Sequence, residues 1–159
     1  MIKVLWLSFL LSFYSLQGEY HVQKVWLFTK TQYNGNVPAD RNGKHLQGKT
    51  TQLICYLKVS RKNESPVWET AFIDGNQYKV ETVQAEQDTI TAGTLKNTNM
   101  PVIIKTGRKS KITQLILTLR GKIEKPEACS FILTGTLNGK SVYIRSNESV
   151  AELTPDLMP

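Results

Sequence analysis

The sequence predicts an all-β fold, a two-sheet antiparallel β-sandwich of about nine strands, and three observations carry that expectation. No window of about twelve residues shows an apolar stripe at helical spacing. β-branched and aromatic side chains instead gather in short runs separated by Gly, Asn, Asp and Pro. One pair of runs flanks Asn138-Gly139, a dipeptide that readily takes the two positive φ angles of a type I′ hairpin turn.

Taken in order, residues 1–18 read as an export signal, with Lys3, an almost unbroken apolar run over 4–13, and then Ser15 and Gly18. The run falls short of the roughly 17–25 apolar residues that a spanning helix needs, and no later stretch approaches that length. The expected product is a soluble secreted protein, extracellular or periplasmic, with no transmembrane segment in the mature chain. Residues 19–147 are read as one β-sandwich domain, because the remainder is too short for two independent cores.

The first strand run is 20–30, with Trp26 and Phe28 assigned to the core and Tyr20 and His21 toward an exposed end. Residues 31–49 contain Tyr33, Asn34-Gly35-Asn36, Pro38 and Asn42-Gly43, have little apolar content, and read as a long exposed loop. Asn34, Arg41, Lys44, His45 and Lys49 are its candidate binding residues. Runs 51–59 and 67–73 follow, the second holding Trp68 and Phe72 as core residues, and Asp74-Gly75 turns it into 77–84. Runs 88–95 and 101–106 lead to a turn over 106–110, which offers Arg108 and Lys109 as a second candidate binding loop. Runs 111–120, 128–137, with Phe131 in the core, and 140–146 complete the set. Residues 148–159, acidic and carrying Pro155 and Pro159, read as a short tail that leaves the sandwich.

Lys and Arg number 20 against 13 Asp and Glu; losing Lys3 with the leader leaves 19 against 13, a net charge of about +6. That bias suits an anionic partner such as a sulfated glycan. The cations are spread from Lys24 to Lys140 with no run of five or more, so no nucleic-acid partner is expected. Cys55 and Cys129 are the only thiols, and an even pair in an exported chain of this size most simply forms one internal disulfide. A distant pair without Cys-x-x-Cys spacing lacks the ligand count for zinc, and no metal or cofactor is expected.

Cys55 lies in the second run, Trp68 in the third, thirteen residues on, and Cys129 in the eighth of nine. In this the chain resembles the immunoglobulin-like superfamily, whose variable-type domains join strands B and F by an inter-sheet disulfide and bury a Trp on strand C. The resemblance spans nearly the whole mature chain. It implies that Cys55 and Cys129 connect two sheets, that Trp68 packs in the core, and that 53–57, 67–68, 112–119 and 129–133 correspond to B, C, E and F. It departs at Glu127, where the family usually carries a Tyr two residues before the second cysteine. Another disulfide-bridged sandwich of adhesin or pilus type and an up-and-down barrel are the alternative architectures.

Catalytic patterns dissolve on inspection. Residues 43–50 match the phosphate-loop pattern letter for letter, with Lys49 for charge and Thr50 for magnesium. That chemistry needs a buried strand before the glycines and a helix after them; here a turn-rich segment precedes and a β-branched strand follows. Lys105-Thr106-Gly107 echoes a motif of penicillin-binding enzymes, but no Ser-x-x-Lys partner exists. His21 and His45 are the only imidazoles, too few for a triad or a His-rich metal site, and no catalytic residue is assigned.

The expected function is therefore a secreted, non-enzymatic recognition domain that engages a protein or anionic glycan ligand. The alternative is a structural or adhesive subunit of a surface assembly, pilus-like and joined by strand addition, for which self-association is possible. Asn63-Glu64-Ser65 and Asn147-Glu148-Ser149 fit the N-glycosylation acceptor pattern, and Pro66 directly after the first disfavours its use.

Overall fold

A computed structural model describes residues 18–33, 41–42, 49–119 and 130–156. The described residues contain eleven strands and no helix. In chain order these are β1 (Gly18–Glu19), β2 (Lys24–Tyr33), β3 (Lys49–Ser60), β4 (Val67–Ile73), β5 (Asn76–Gln87), β6 (Thr89–Thr94), β7 (Pro101–Lys105), β8 (Ser110–Leu119), β9 (Phe131–Leu137), β10 (Lys140–Ser146) and β11 (Val150–Asp156). The nine sequence runs correspond to β2 through β10. Two hairpins turn as their dipeptides dictate: φ is 49° and 84° at Asp74-Gly75, and 51° and 76° at Asn138-Gly139.

Nine strands form one continuous sheet in the order β1-β10-β9-β4-β5-β8-β3-β2-β11, and β6 pairs with β7 in a separate ribbon. The expected division into two sheets is not what the described residues adopt. The cause is β5, twelve residues long, which pairs with β4 through Lys79 and with β8 from Tyr78 onward and so joins the two halves. The sheet curls strongly enough that residues from β2, β3, β4, β5, β8, β9 and β10 share one inner cluster, with Leu27, Leu57, Ile73, Tyr78, Leu117, Phe131 and Leu133 almost wholly removed from water. A second cluster lies on the outer face over β2, β3 and β8, where Phe28, Ile54, Tyr56 and Ile112 are roofed by Ile90, Ala92 and Ile104 of the β6–β7 ribbon.

The two chain ends close the curl. β1 runs parallel to β10 (Gly18↔Val142, Glu19↔Tyr143), the chain crosses over 20–23, and β2 then runs parallel to β11 from Leu27↔Val150 onward. Two long bent paths, β1–β2 and β10–β11, therefore travel side by side with their pairing interrupted between Glu19 and Leu27. A cleft of about 370 Å³, lined by residues 19–25, Ile144 to Ser146 and Glu148, occupies that interruption.

Several expectations change at this seam and beside it. Residues 150–156 are not a tail outside the fold: β11 docks on β2, and Leu153 is fully buried under the outer cluster. Tyr20 is not exposed but 9% accessible, set edge-on against Trp68 with ring centroids 5.6 Å apart, its hydroxyl donating to the Glu64 carbonyl at 2.7 Å. Trp68 is buried in the inner cluster. Phe72 is only half-buried and faces outward, because a bulge between Trp68 and Thr70 inverts the alternation and puts Ala71 and Ile73 inside. Trp26 is likewise half-buried, against the outer cluster. Cys55 is fully buried on β3, and no disulfide joins two described residues; Cys129 lies outside them, as do residues 1–17 of the proposed leader.

Candidate functional site

The antiparallel β2–β3 pair decides how the candidate loops relate. Its register runs from Lys24↔Lys58 at one end to Tyr33↔Lys49 at the other, about 30 Å along the strand for ten residues. Lys49 therefore sits at the end of β3 opposite to Ser60. Arg41 is exposed in a turn; Asn34, Lys44 and His45 lie outside the described residues. Arg108 and Lys109 belong to the other end, away from Lys49.

What the fold does bring to Arg108 and Lys109 is the turn after β3. The last rung of β3 with β8 is Ser60↔Ser110, which places Arg61 and Lys62, just beyond β3, beside Arg108 and Lys109, just before β8. The Arg61 backbone N–H donates to the Lys109 carbonyl at 2.9 Å, and the Arg61 Nε donates to the Ser110 carbonyl at 3.1 Å. The Ser110 N–H closes its own turn on the Gly107 carbonyl at 3.0 Å. Two tight turns are thereby fastened into one rigid surface. The Arg61 guanidinium also pairs with Asp88. Both partners are largely exposed, so the pair contributes at most about 1 kcal/mol to stability and acts mainly to aim the guanidinium.

The start of β2 extends this surface. The Gln23 N–H donates to the Lys58 carbonyl at 2.8 Å, and the Ser110 hydroxyl donates to the Gln23 side-chain oxygen, also at 2.8 Å. Lys24 follows directly, exposed, with its ammonium 5.1 Å from the Trp26 ring centroid in a cation–π contact. Lys62, Lys105, Arg108 and Lys109 are exposed as well. Sequence reasoning found Arg108 and Lys109 but missed Arg61 and Lys62; the available signal was that β3 and β8 pair antiparallel, which sets the residues leaving one beside those entering the other.

A second exposed surface lies on the outer face of β5, β4, β9 and β10, which the β6–β7 ribbon does not roof. Cross-strand registry sets Gln77, Phe72, Ile132 and Arg145 in one row and Lys79, Thr70, Thr134 and Tyr143 in the next. Its apolar members are half-buried by their neighbours, and no group of three or more His, Cys, Asp or Glu among the described residues is placed to hold a metal. No helix among the described residues is long and apolar enough to cross a membrane. Comparison with known families, curated proteins and solved structures found no match to this chain.

Proposed function

We propose that the chain is an exported, non-enzymatic binding domain that holds an anionic glycan on its basic end. The observation that carries this reading is the fusion of two basic turns through Arg61 N–H to the Lys109 carbonyl, which presents Arg61, Lys62, Arg108 and Lys109 from a scaffold fixed before the ligand arrives. Pre-ordering of this kind lowers the entropic cost of gripping sulfate or carboxylate groups along a chain. Asp88 offsets Arg61, and the four cations still outnumber that carboxylate.

The same reading keeps an immunoglobulin-like plan with a Cys55–Cys129 staple. Support for the plan comes from strand order: β10-β9-β4-β5 follows G-F-C-C′ and β2-β3-β8 follows A-B-E, with Cys55 on the B equivalent and Trp68 on the C equivalent. The fused β5–β8 edge is the departure from two separate sheets.

The test is retention on immobilised heparin across a salt gradient. The charge reversal R108E/K109E is expected to elute at clearly lower salt than wild type, while K79E/K140E, equal in charge but placed elsewhere, is expected to shift much less. Equal shifts for both would mean that net charge alone drives retention and would end the proposal for this site.

One observation favours strand addition as a second reading. Tyr143 accepts the Tyr20 N–H, so the alternate residue Arg145 also directs its backbone groups away from β9, and β1 does not reach that far. Among the described residues no strand pairs with β10 on that side at Arg145. The variant R145P removes that donor on the outward side of the strand. If sedimentation shows self-association that R145P abolishes, this reading gains; a chain monomeric at every concentration sinks it.

A further inference from the structure

The chain carries two Asn-Glu-Ser tripeptides, identical letter for letter, at Asn63 and Asn147. Pro66 after the first already disfavours it as an N-glycan acceptor, and their places in the fold separate the two further. Asn63 sits half-buried in the β3–β4 turn; its N–H donates to the Ser60 carbonyl at 3.1 Å and its side chain hydrogen-bonds Tyr20. Glu64 beside it is held at both ends, its carbonyl by the Tyr20 hydroxyl at 2.7 Å and its carboxylate by Asn138 Nδ2 at 2.5 Å. Ser65 precedes the buried Pro66, which biases Ser65 toward extended backbone. A glycan on Asn63 would have to be built at a half-buried amide engaged with Tyr20, which packs on Trp68.

Asn147 presents the opposite case. Asn147, Glu148 and Ser149 form the whole connection between β10 and β11, and all three are exposed. The Glu148 N–H donates to the Ser146 hydroxyl at 3.3 Å, a local turn that leaves the Asn147 side chain outward.

We propose that Asn147, and not Asn63, is an N-glycan acceptor, and that its sugar stands over the seam between the β1–β2 and β10–β11 paths. The co-reactant is a lipid-linked oligosaccharide pyrophosphate. The Asn147 Nδ2 bonds to the anomeric carbon, the bond from that carbon to the pyrophosphate oxygen breaks, and one amide proton is released with the lipid pyrophosphate leaving group. Two residues from Arg145, the bulky polar sugar screens β10 there from other strands, a role edge strands commonly assign to charge or proline. The inference rests on the export reading.

The experiment expresses the full chain in mammalian cells both with its own amino terminus and behind a proven leader, and treats the product with peptide N-glycosidase F. With the proven leader, wild type and N63Q are expected to drop by one step in mass, while N147Q is already at the lower mass and does not move. Peptide mapping should find the Asn-to-Asp conversion at 147 alone. Absence of any shift in wild type, or a shift that N63Q abolishes and N147Q retains, overturns the assignment. Glycosylation only behind the proven leader upholds the assignment and overturns the export reading instead.

Discussion

Gly135 offers the sharpest test of how tightly β4 and β9 are joined. It faces Trp68 in register at the bulge, and a Cβ added there collides with the Val67 carbonyl oxygen while standing 2.9 Å from Trp68 Cε3 and 3.0 Å from Trp68 Cα. Two of those three atoms are backbone, so no rotamer change relieves the contact, and β4 itself must move. Overpacking of this type costs about 1–3 kcal/mol. Against it stands the gain of about 0.4–1 kcal/mol from restricting the unfolded chain when Gly becomes Ala. The difference, about 0–2.6 kcal/mol, falls on the side of the collision, and G135A is expected to lower Tm by up to roughly 10 °C in a domain of this size. Gly107 supplies the control, because a Cβ there meets nothing within 4 Å and its φ lies outside the left-handed region. Only the unfolded-chain effect operates in G107A, and its Tm should hold or rise. Thermal melts followed by circular dichroism, with urea titrations for the free energy, measure both. A G135A melting point equal to or above wild type would refute the close-approach argument.

Three further outcomes are expected. Thr29 is 4% exposed and its Oγ1 has no hydrogen-bond partner among the described residues, so T29V, which keeps the shape and removes an unsatisfied group, should be neutral or stabilising by up to about 1 kcal/mol in urea titration. Burial raises the pKa of Tyr56, and that of Tyr20 against the opposing pull of Asn63; the folded state therefore holds those protons more tightly than the unfolded one. The resulting stability is complete below the unfolded tyrosine value near pH 10 and falls as pH rises through the higher folded values, so Y56F should flatten the alkaline loss seen in melts from about pH 9 to 12. Under the proposed pairing, Cys55 and Cys129 close a loop of about 75 residues, worth about 4.5 kcal/mol in the chain-entropy model. C129S should lose stability of that order under non-reducing conditions, and equal stability of wild type and C129S would remove the staple.

Local chemistry made much of the fold readable, and non-local pairing accounts for what escaped. Asp74-Gly75 and Asn138-Gly139 adopt their positive φ angles for reasons confined to two residues, and the flanking runs over 67–73 and 140–146 become β4 and β10 with unchanged limits. β11 escaped because Glu152, Thr154 and Pro155 make it look like tail; its reason to be a strand is β2, more than a hundred residues away in sequence. Phe72 reads as core, a large apolar side chain inside a strand run, but one bulged residue at Glu69 turns it outward without any Gly or Pro to announce the change. The basic end was half visible: Arg108 and Lys109 stand in a turn of their own, whereas Arg61 and Lys62 join them only once Ser60 is known to face Ser110.

The seam has a mechanical consequence. Because β1–β2 and β10–β11 run parallel, a force that draws the amino-terminal end of β1 away from the carboxy-terminal end of β11 acts along the strands and in opposite senses on the two paths. The rungs at Gly18, Glu19 and from Leu27 onward are then loaded together in shear, not opened one after another like a zip. A domain tethered at one end and pulled through the other resists as a clasp does, and the rung-free interval between Glu19 and Leu27 is where that clasp divides into two separately yielding parts.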